Sequence, residues 1–259
     1  MTLRIASLVP SVTELLADLG LAPWLVARTG FCVHPLSLLT QVPKVGGTKD
    51  VQVDKLRRLA PTHVVVNVDE NTRETVDALR QFVPHVVVTH PCGPQDNFAL
   101  YRQMADVFGA VDGVAERAHR VARDLEAELQ ATAAGPRRRV LYCIWRDPWM
   151  TVARDTYISR MLALIGWLTA PHVEGGLCGA ARYPSFEWSE GWLAEVDEVL
   201  LSSEPYRFQA AHEDEVRRLL ALHGLRAGVR RVDGERLSWY GSRAVAGVRY
   251  LRELARRAD

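Results

Sequence analysis

Two short loops carry the side chains best suited to bind or react. Cys32-Val33-His34 and His90-Pro91-Cys92 each set a thiol and an imidazole two positions apart. A soft thiolate beside an imidazole suits zinc, copper or the metal of a tetrapyrrole. If the fold brings the two loops to one rim, Cys32, His34, His90 and Cys92 supply up to four ligands. Neither spacing is diagnostic of a metal. The competing reading makes the histidines loop hydrogen-bonders and the cysteines small apolar fillers. Cys143 lies inside an apolar run and reads as core, and Cys178 lies in Gly175-Gly176-Leu177-Cys178-Gly179, a flexible stretch or a turn.

A second group suits a large, flat, partly apolar ligand. Six of the seven tryptophans fall in the last half of the chain, and five of these, Trp145, Trp149, Trp188, Trp192 and Trp239, lie outside strand cores or near the ends of expected strands, where such rings make apolar walls. Arg146, Arg182, Tyr183 and Tyr206 accompany them. Signatures of covalent or phosphate chemistry are missing: there is no GxSxG, no P-loop lysine, no HExxH, and no GxGxxG after the first strand, where Val9-Pro10-Ser11-Val12 stands.

The elements that position these residues alternate short β-rich runs with amphipathic helices, which reads as α/β. Strands are expected over 4–9, 25–29, 63–68 and 85–89. Ser11 as N-cap with Glu14 three residues on forms a capping-box pattern, and Asn71 with Glu74 forms another for a helix reaching Phe82. A helix over 53–60 stops at Pro61. Residues 112–134 repeat apolar positions at helical spacing without a strand, which gives a helix about 33 Å long. It divides the chain into an α/β lobe over 1–110, a connecting helix over 111–136 and a second α/β lobe over 137–259; a single larger domain with a long surface helix is the alternative. The second lobe restarts with a strand over 140–145, and helices are expected over 157–165, 212–223 and 242–257, with a strand over 229–232. Residues 192–203 have the layout of 56–67, which suggests a structural repeat. Because ligands of open α/β sheets bind outside the carboxyl ends of the strands, the candidate contacts are Ser11, Phe31, His34, Asn67 and His90 in the first lobe and Trp145, Arg146, Trp149, Arg182, Tyr183, Tyr206 and Trp239 in the second.

Composition narrows the function classes. With 32 basic against 31 acidic residues among 259, the chain lacks the basic excess of a nucleic-acid binder. No apolar run is long enough to span a bilayer. Met1-Thr2-Leu3-Arg4 leads into a strand rather than a signal peptide, so the expected compartment is the cytosol, or the periplasm or cell exterior if a leader is absent from the sequence.

Residues 4–14 (RIASLVPSVTE), the Pro43-Lys44-Val45-Gly46-Gly47 segment and residues 56–66 (LRRLAPTHVVV) resemble the helical-backbone metal receptors, the solute-binding proteins of cobalamin, haem and ferric-siderophore importers. The resemblance extends over nearly the whole chain. It is greatest to the cobalamin-binding branch, whose second-lobe rim is similar to Trp145-Arg146-Asp147-Pro148-Trp149-Met150 and Ser203-Glu204-Pro205-Tyr206. It implies two Rossmann-like lobes joined by one long backbone helix, with a metal chelate held between them and little hinge closure. It also implies docking to an ABC importer through a carboxylate on each lobe, with Glu70 or Glu74 and Glu190 as the matching positions.

Two functions follow. The first is capture of cobalamin or a related metal chelate without chemistry, with no required cofactor and with His34 or His90 as an axial ligand. The second is a cytosolic metal- or tetrapyrrole-handling enzyme or chaperone that uses the Cys/His loops.

Overall fold

The computed structural model describes residues 2–257, which group into two compact units. The first is built from β1 (Ile5–Ser7), α1 (Pro10–Asp18), β2 (Leu25–Arg28), α2 (Leu36–Leu39), α3 (Val53–Arg58), β3 (His63–Asn67), α4 (Arg73–Arg80), β4 (His85–Thr89) and α5 (Asp96–Phe108). Its strands are all parallel and lie in the order β2-β1-β3-β4. A parallel sheet is covered on both faces, so its central strands read as unbroken apolar runs; Val64, Val65 and Val66 of β3 are fully buried. Ala6, Ala27, Val64 and Val66 share one face and pack against Leu56 of α3 and Leu79 of α4.

The chain passes from the first unit to the second inside α6 (Val114–Gln130). The second unit contains β5 (Arg138–Cys143), α7 (Tyr157–Ala163), β6 (Trp167–Thr169), β7 (Glu198–Ser202), α8 (Ala210–Leu222), β8 (Gly228–Val232), α9 (Gly234–Ser238) and most of α10 (Arg243–Arg256). Its parallel sheet has the order β6-β5-β7-β8. This repeats the first sheet, with β7 standing where β3 stands, as the matched layouts of 56–67 and 192–203 suggest. Leu141, Cys143, Val199 and Leu201 pack on Phe186, Trp188 and Phe208 and on Val216 and Leu220 of α8.

The units are not contiguous in sequence. Tyr240–Arg243 belongs to the first unit and Cys92–Pro94 to the second. The tie to the first unit is specific: the Tyr101 hydroxyl donates to the Gly241 carbonyl at 2.9 Å, and the Gly241 amide donates to Asn97 Oδ1 at 2.7 Å. Gly241 has φ +77°, and a Cβ there would lie 3.1 Å from Leu15 Cβ and 3.2 Å from the Ser11 carbonyl oxygen. Only glycine combines that dihedral with that approach. Arg243 then pairs with both carboxylate oxygens of Glu14, at 2.7 and 2.6 Å.

Both helix caps expected from spacing are replaced by other residues. α1 begins at Pro10, and Val9 precedes it without a side-chain cap; proline has no amide to leave unpaired in a first turn, so it takes the place expected for a Ser11 cap. α4 is capped by Thr72, whose hydroxyl accepts from the Thr75 amide. Asn71 turns back instead, accepting from the Asn67 amide at 2.9 Å and donating to the Thr48 carbonyl at 2.9 Å. Helix α5 and strand β6 occupy stretches to which the periodicity argument assigns nothing. α5 starts two residues after Pro94, and β6 has only three residues, too few for an alternation signal.

Candidate ligand-binding site

In both sheets the strand order reverses direction at the central pair, β1/β3 in the first unit and β5/β7 in the second. The loops at the carboxyl ends of such a pair form the crevice where doubly wound folds bind ligands. Each unit therefore has its own rim.

In the first rim the loop after β2 shows its apolar side chains to water. Phe31 is 63% exposed and Leu36 65%, with Val33 and Leu38 also exposed, and His34 sits among them half-buried. Cys32, between two of these, is fully buried. Its sulfur accepts from the Thr13 hydroxyl at 3.0 Å and lies 3.1 Å from the Thr29 hydroxyl. Burial pushes its thiol pKa up, the opposite of what a nucleophile or metal ligand needs.

The loop after β3 is organised by Asn67, whose Oδ1 accepts from the amides of Asp69 and Glu70 at 2.8 and 3.3 Å and whose Nδ2 donates to the Thr89 carbonyl at 3.0 Å. Its polar atoms serve the turn. His90 Nε2 faces Asp69 Oδ2 at 3.5 Å, and Glu70 accepts from the buried phenol of Tyr240. Ser11, in the first turn of α1, is also buried, beside Tyr240.

In the second rim Trp145 is 41% exposed and sets its ring edge-on to Tyr206 at 5.6 Å. Tyr206 is held by His212, whose Nδ1 accepts from the Gln209 amide at 2.8 Å and whose Nε2 lies 3.2 Å from the Tyr206 hydroxyl. With Nδ1 accepting, a neutral His212 carries its proton on Nε2 and donates it to Tyr206. Arg146 donates to Glu215 Oε1 through Nε and Nη2 at 3.1 and 2.7 Å and to Asp147 at 3.0 Å, and the hydrogen bonds from Glu215 raise its pKa.

Trp149 points the other way. Half-buried, it stacks on Phe208 at 5.8 Å with 10° between planes and meets Trp188 at 5.3 Å, packed against the core. Trp239 is buried, while Tyr183 stays half-buried.

Arg182, 1% exposed, braces the loop after β6. Its Nη1 donates to the Gly176 carbonyl at 2.7 Å, and Nη2 lies 3.7 Å from Cys92 Sγ. Asp155 stands 3.8 Å away and accepts from the Gly175 amide at 2.9 Å. Burial alone would raise the Asp155 carboxyl, but the Gly175 amide and Arg182 hold it below the usual range. A Cβ on Gly175 would meet the Arg182 backbone at 2.3 Å.

Among the described residues no three His, Cys, Asp or Glu side chains are grouped so as to hold a metal ion. Cys32, His34, His90 and Cys92 are thus not brought together as a ready chelating set: the Cys32 thiol is enclosed by Thr13 and Thr29, and Cys92 lies against Arg182. Of the carboxylates considered for docking, Glu70 is taken up by Tyr240 and Glu74 is exposed in the first turn of α4. Glu190 is exposed and accepts from the Glu187 amide and the Trp192 indole. Sequence reasoning missed Arg28, Asp155 and the role of Tyr240, because each acts on residues far away in the chain or on backbone carbonyls, which leave no spacing pattern.

The model of the periplasmic binding protein family matches residues 5–170. The chain belongs to that family. Solved structures that share its fold include the periplasmic vitamin B12 binding protein BtuF of Vibrio cholerae (17% identity, TM-score 0.79, 98% of this chain and 97% of that one), the periplasmic heme-binding protein RhuT from Roseiflexus sp. RS-1 (20%, 0.79, 100% and 99%) and a periplasmic heme binding protein from Pseudomonas aeruginosa (21%, 0.78, 98% and 92%). No curated protein matches the chain. As a periplasmic binding protein it is a solute-binding protein of the ABC-transport kind. In such a protein the bound molecule is cargo, so no resident cofactor is required. The family gives no support to the cytosolic location expected above. No helix among the described residues is long and apolar enough to cross a membrane.

Proposed function

We propose that this periplasmic binding protein captures a metal chelate of the corrin or porphyrin class, cobalamin first, for delivery to an ABC importer. The observation that carries the reading is the loop after β2, which holds Phe31, Val33, Leu36 and Leu38 in water around His34. Soluble proteins expose contiguous apolar patches chiefly where something binds, and a flat macrocycle with a central metal matches apolar walls beside an imidazole. Neighbours of the same fold that bind vitamin B12 and heme favour this class. On the first unit's rim the contacts are assigned to Phe31, His34 and His90, with His34 the axial ligand; the second unit's own rim presents Trp145, Tyr183 and Tyr206. Asn67 and Arg182 hold loop backbone in their own units, Ser11 and Trp239 are buried, and Trp149 packs against Phe208. Glu74 and Glu190, exposed on the two units, are the carboxylates assigned to importer docking.

The test is an absorbance and calorimetric titration of the purified protein with cyanocobalamin, haemin and zinc. A saturable spectral change with one macrocycle, weakened in His34→Ala, is the expected result. No heat and no spectral change with either macrocycle rejects the reading. Stoichiometric zinc in protein purified without chelators, lost in both His34→Ala and His90→Ala, replaces it with the metal-handling enzyme or chaperone.

A further inference from the structure

Arg28 ends β2 with its side chain turned inward, 4% exposed, and its hydrogen-bond partners are all backbone carbonyls. Nε donates to the Leu39 carbonyl at 3.1 Å, and Nη1 donates to the Cys32 carbonyl at 2.9 Å and the Thr29 carbonyl at 3.3 Å. The main chain of the same residue bonds the far end of the excursion: the Arg28 amide donates to the Pro43 carbonyl at 3.0 Å, and its carbonyl accepts from the Val45 amide at 2.8 Å. One residue thus grips the loop at its start, at its middle and where it returns to the sheet. The segment it grips, the β2–α2 loop with the short helix α2, is the one that displays Phe31, Val33, Leu36 and Leu38 to solvent.

An unanchored segment with four exposed apolar side chains folds them onto the nearest apolar surface, since removing apolar surface from water is favourable. Here the loop is kept out in water by contacts that are polar and internal to its backbone. The planar guanidinium spans several carbonyls at fixed angles, which a lysine ammonium cannot do. Cys32 adds a second pin, its sulfur enclosed by Thr13, Thr29 and the Ser7 carbonyl.

We propose that Arg28 is the positioning residue of the binding loop: it holds the β2–α2 loop open before ligand arrives, so that chelate affinity depends on a side chain that never touches the chelate. The inference rests on the chelate-binding reading above. Holding the loop ready removes the ordering cost from the binding step, and a protein whose competent conformation is only partly populated binds more weakly in proportion to that fraction.

The experiment compares wild type with Arg28→Lys, Arg28→Met and Phe31→Ala. It reads backbone amide exchange with and without ligand, and affinity for cyanocobalamin and for haemin. In both Arg28 variants exchange should rise over residues 29–45 and remain at wild-type level in β1, β3 and β4. Affinity for the macrocycle that wild type binds should fall by about tenfold or more in Arg28→Met and less in Arg28→Lys, and saturating ligand should restore loop protection. Phe31→Ala should weaken binding without altering exchange. Wild-type affinity in Arg28→Met, or faster exchange spread through the whole sheet, overturns the proposal. If wild type binds neither macrocycle, the chelate reading fails by itself; the exchange arm still decides whether Arg28 holds the loop, and unchanged exchange over 29–45 in Arg28→Met overturns that as well.

Discussion

The phenol of Tyr240 donates to Glu70 Oε1 at 2.8 Å, although 170 positions separate the two residues. Glu70 lies in the turn after β3, and Tyr240 opens the four-residue segment that returns to the first unit from the far end of the chain. Burial, then the Glu70 charge, pushes the phenol pKa well above its ordinary value, so Tyr240 acts as a donor throughout the physiological range. Tyr240→Phe removes this donor from the carboxylate. A hydrogen bond to a charged group is worth about 1.5–3 kcal/mol, and a loss of that size should appear in urea unfolding followed at equilibrium.

Two tryptophans of one loop should separate stability from binding. Trp145→Ala removes an exposed ring and should change unfolding free energy by no more than about 0.5 kcal/mol, while weakening macrocycle binding by roughly 1–3 kcal/mol. Trp149→Ala removes a half-buried ring stacked on Phe208 and packed against the core and should cost about 1–3 kcal/mol of stability. Calorimetric binding paired with denaturant melts of both variants checks the contrast; equal stability losses would contradict it.

His63 and His85 face each other across β3 and β4 with their rings stacked at 4.5 Å. Burial, and then the neighbouring imidazole, lowers the His63 pKa. The unfolded chain therefore takes up a proton at His63 more readily than the native state does. This contribution to stability is complete above the unfolded value of about 6.5 and is lost as pH falls below it, down to the depressed native value. The urea midpoint should drop between pH 7.5 and 5.5, and His85→Gln should flatten that slope and raise the His63 pKa read by NMR titration.

Thiol labelling should sort the cysteines by burial. Cys178 is exposed, whereas Cys32 and Cys143 are enclosed. Burial raises both enclosed thiols and leaves them protonated at neutral pH. Maleimide at pH 7.5 should modify Cys178 in the native protein and reach Cys32 and Cys143 only after denaturation, as read by peptide mass spectrometry. Labelling of native Cys32 at the rate of Cys178 would contradict the packing around Thr13 and Thr29.

The alternation of β-rich runs and amphipathic helices made both sheets legible, since three consecutive buried valines and a helix face are local patterns. The same arithmetic located Phe31, His34, Trp145 and Tyr206 at strand ends. It could not tell Trp145 from Trp149, because the two differ only in which partners lie above their rings. Nor could it show that the Cys32 sulfur is enclosed by Thr13 and Thr29, contacts made by residues 19 and 3 positions away. Asn71 looked like a cap by spacing, yet its amide group is spent on β3 and on the Thr48 carbonyl. In each case the local pattern was present and a contact distant in sequence decided the role.

The order of synthesis meets an obstacle in this architecture. Domains of a nascent chain tend to fold as they emerge, amino-terminal first. Here Tyr101, Asn97, Glu70 and Glu14 all wait for partners in Tyr240–Arg243. The first unit to leave the ribosome therefore cannot be finished until almost all of the chain has followed. A gene cut at the middle of α6 would yield two fragments, neither holding a whole unit, and co-expression of both halves, rather than of either alone, is the arrangement in which native structure should reappear.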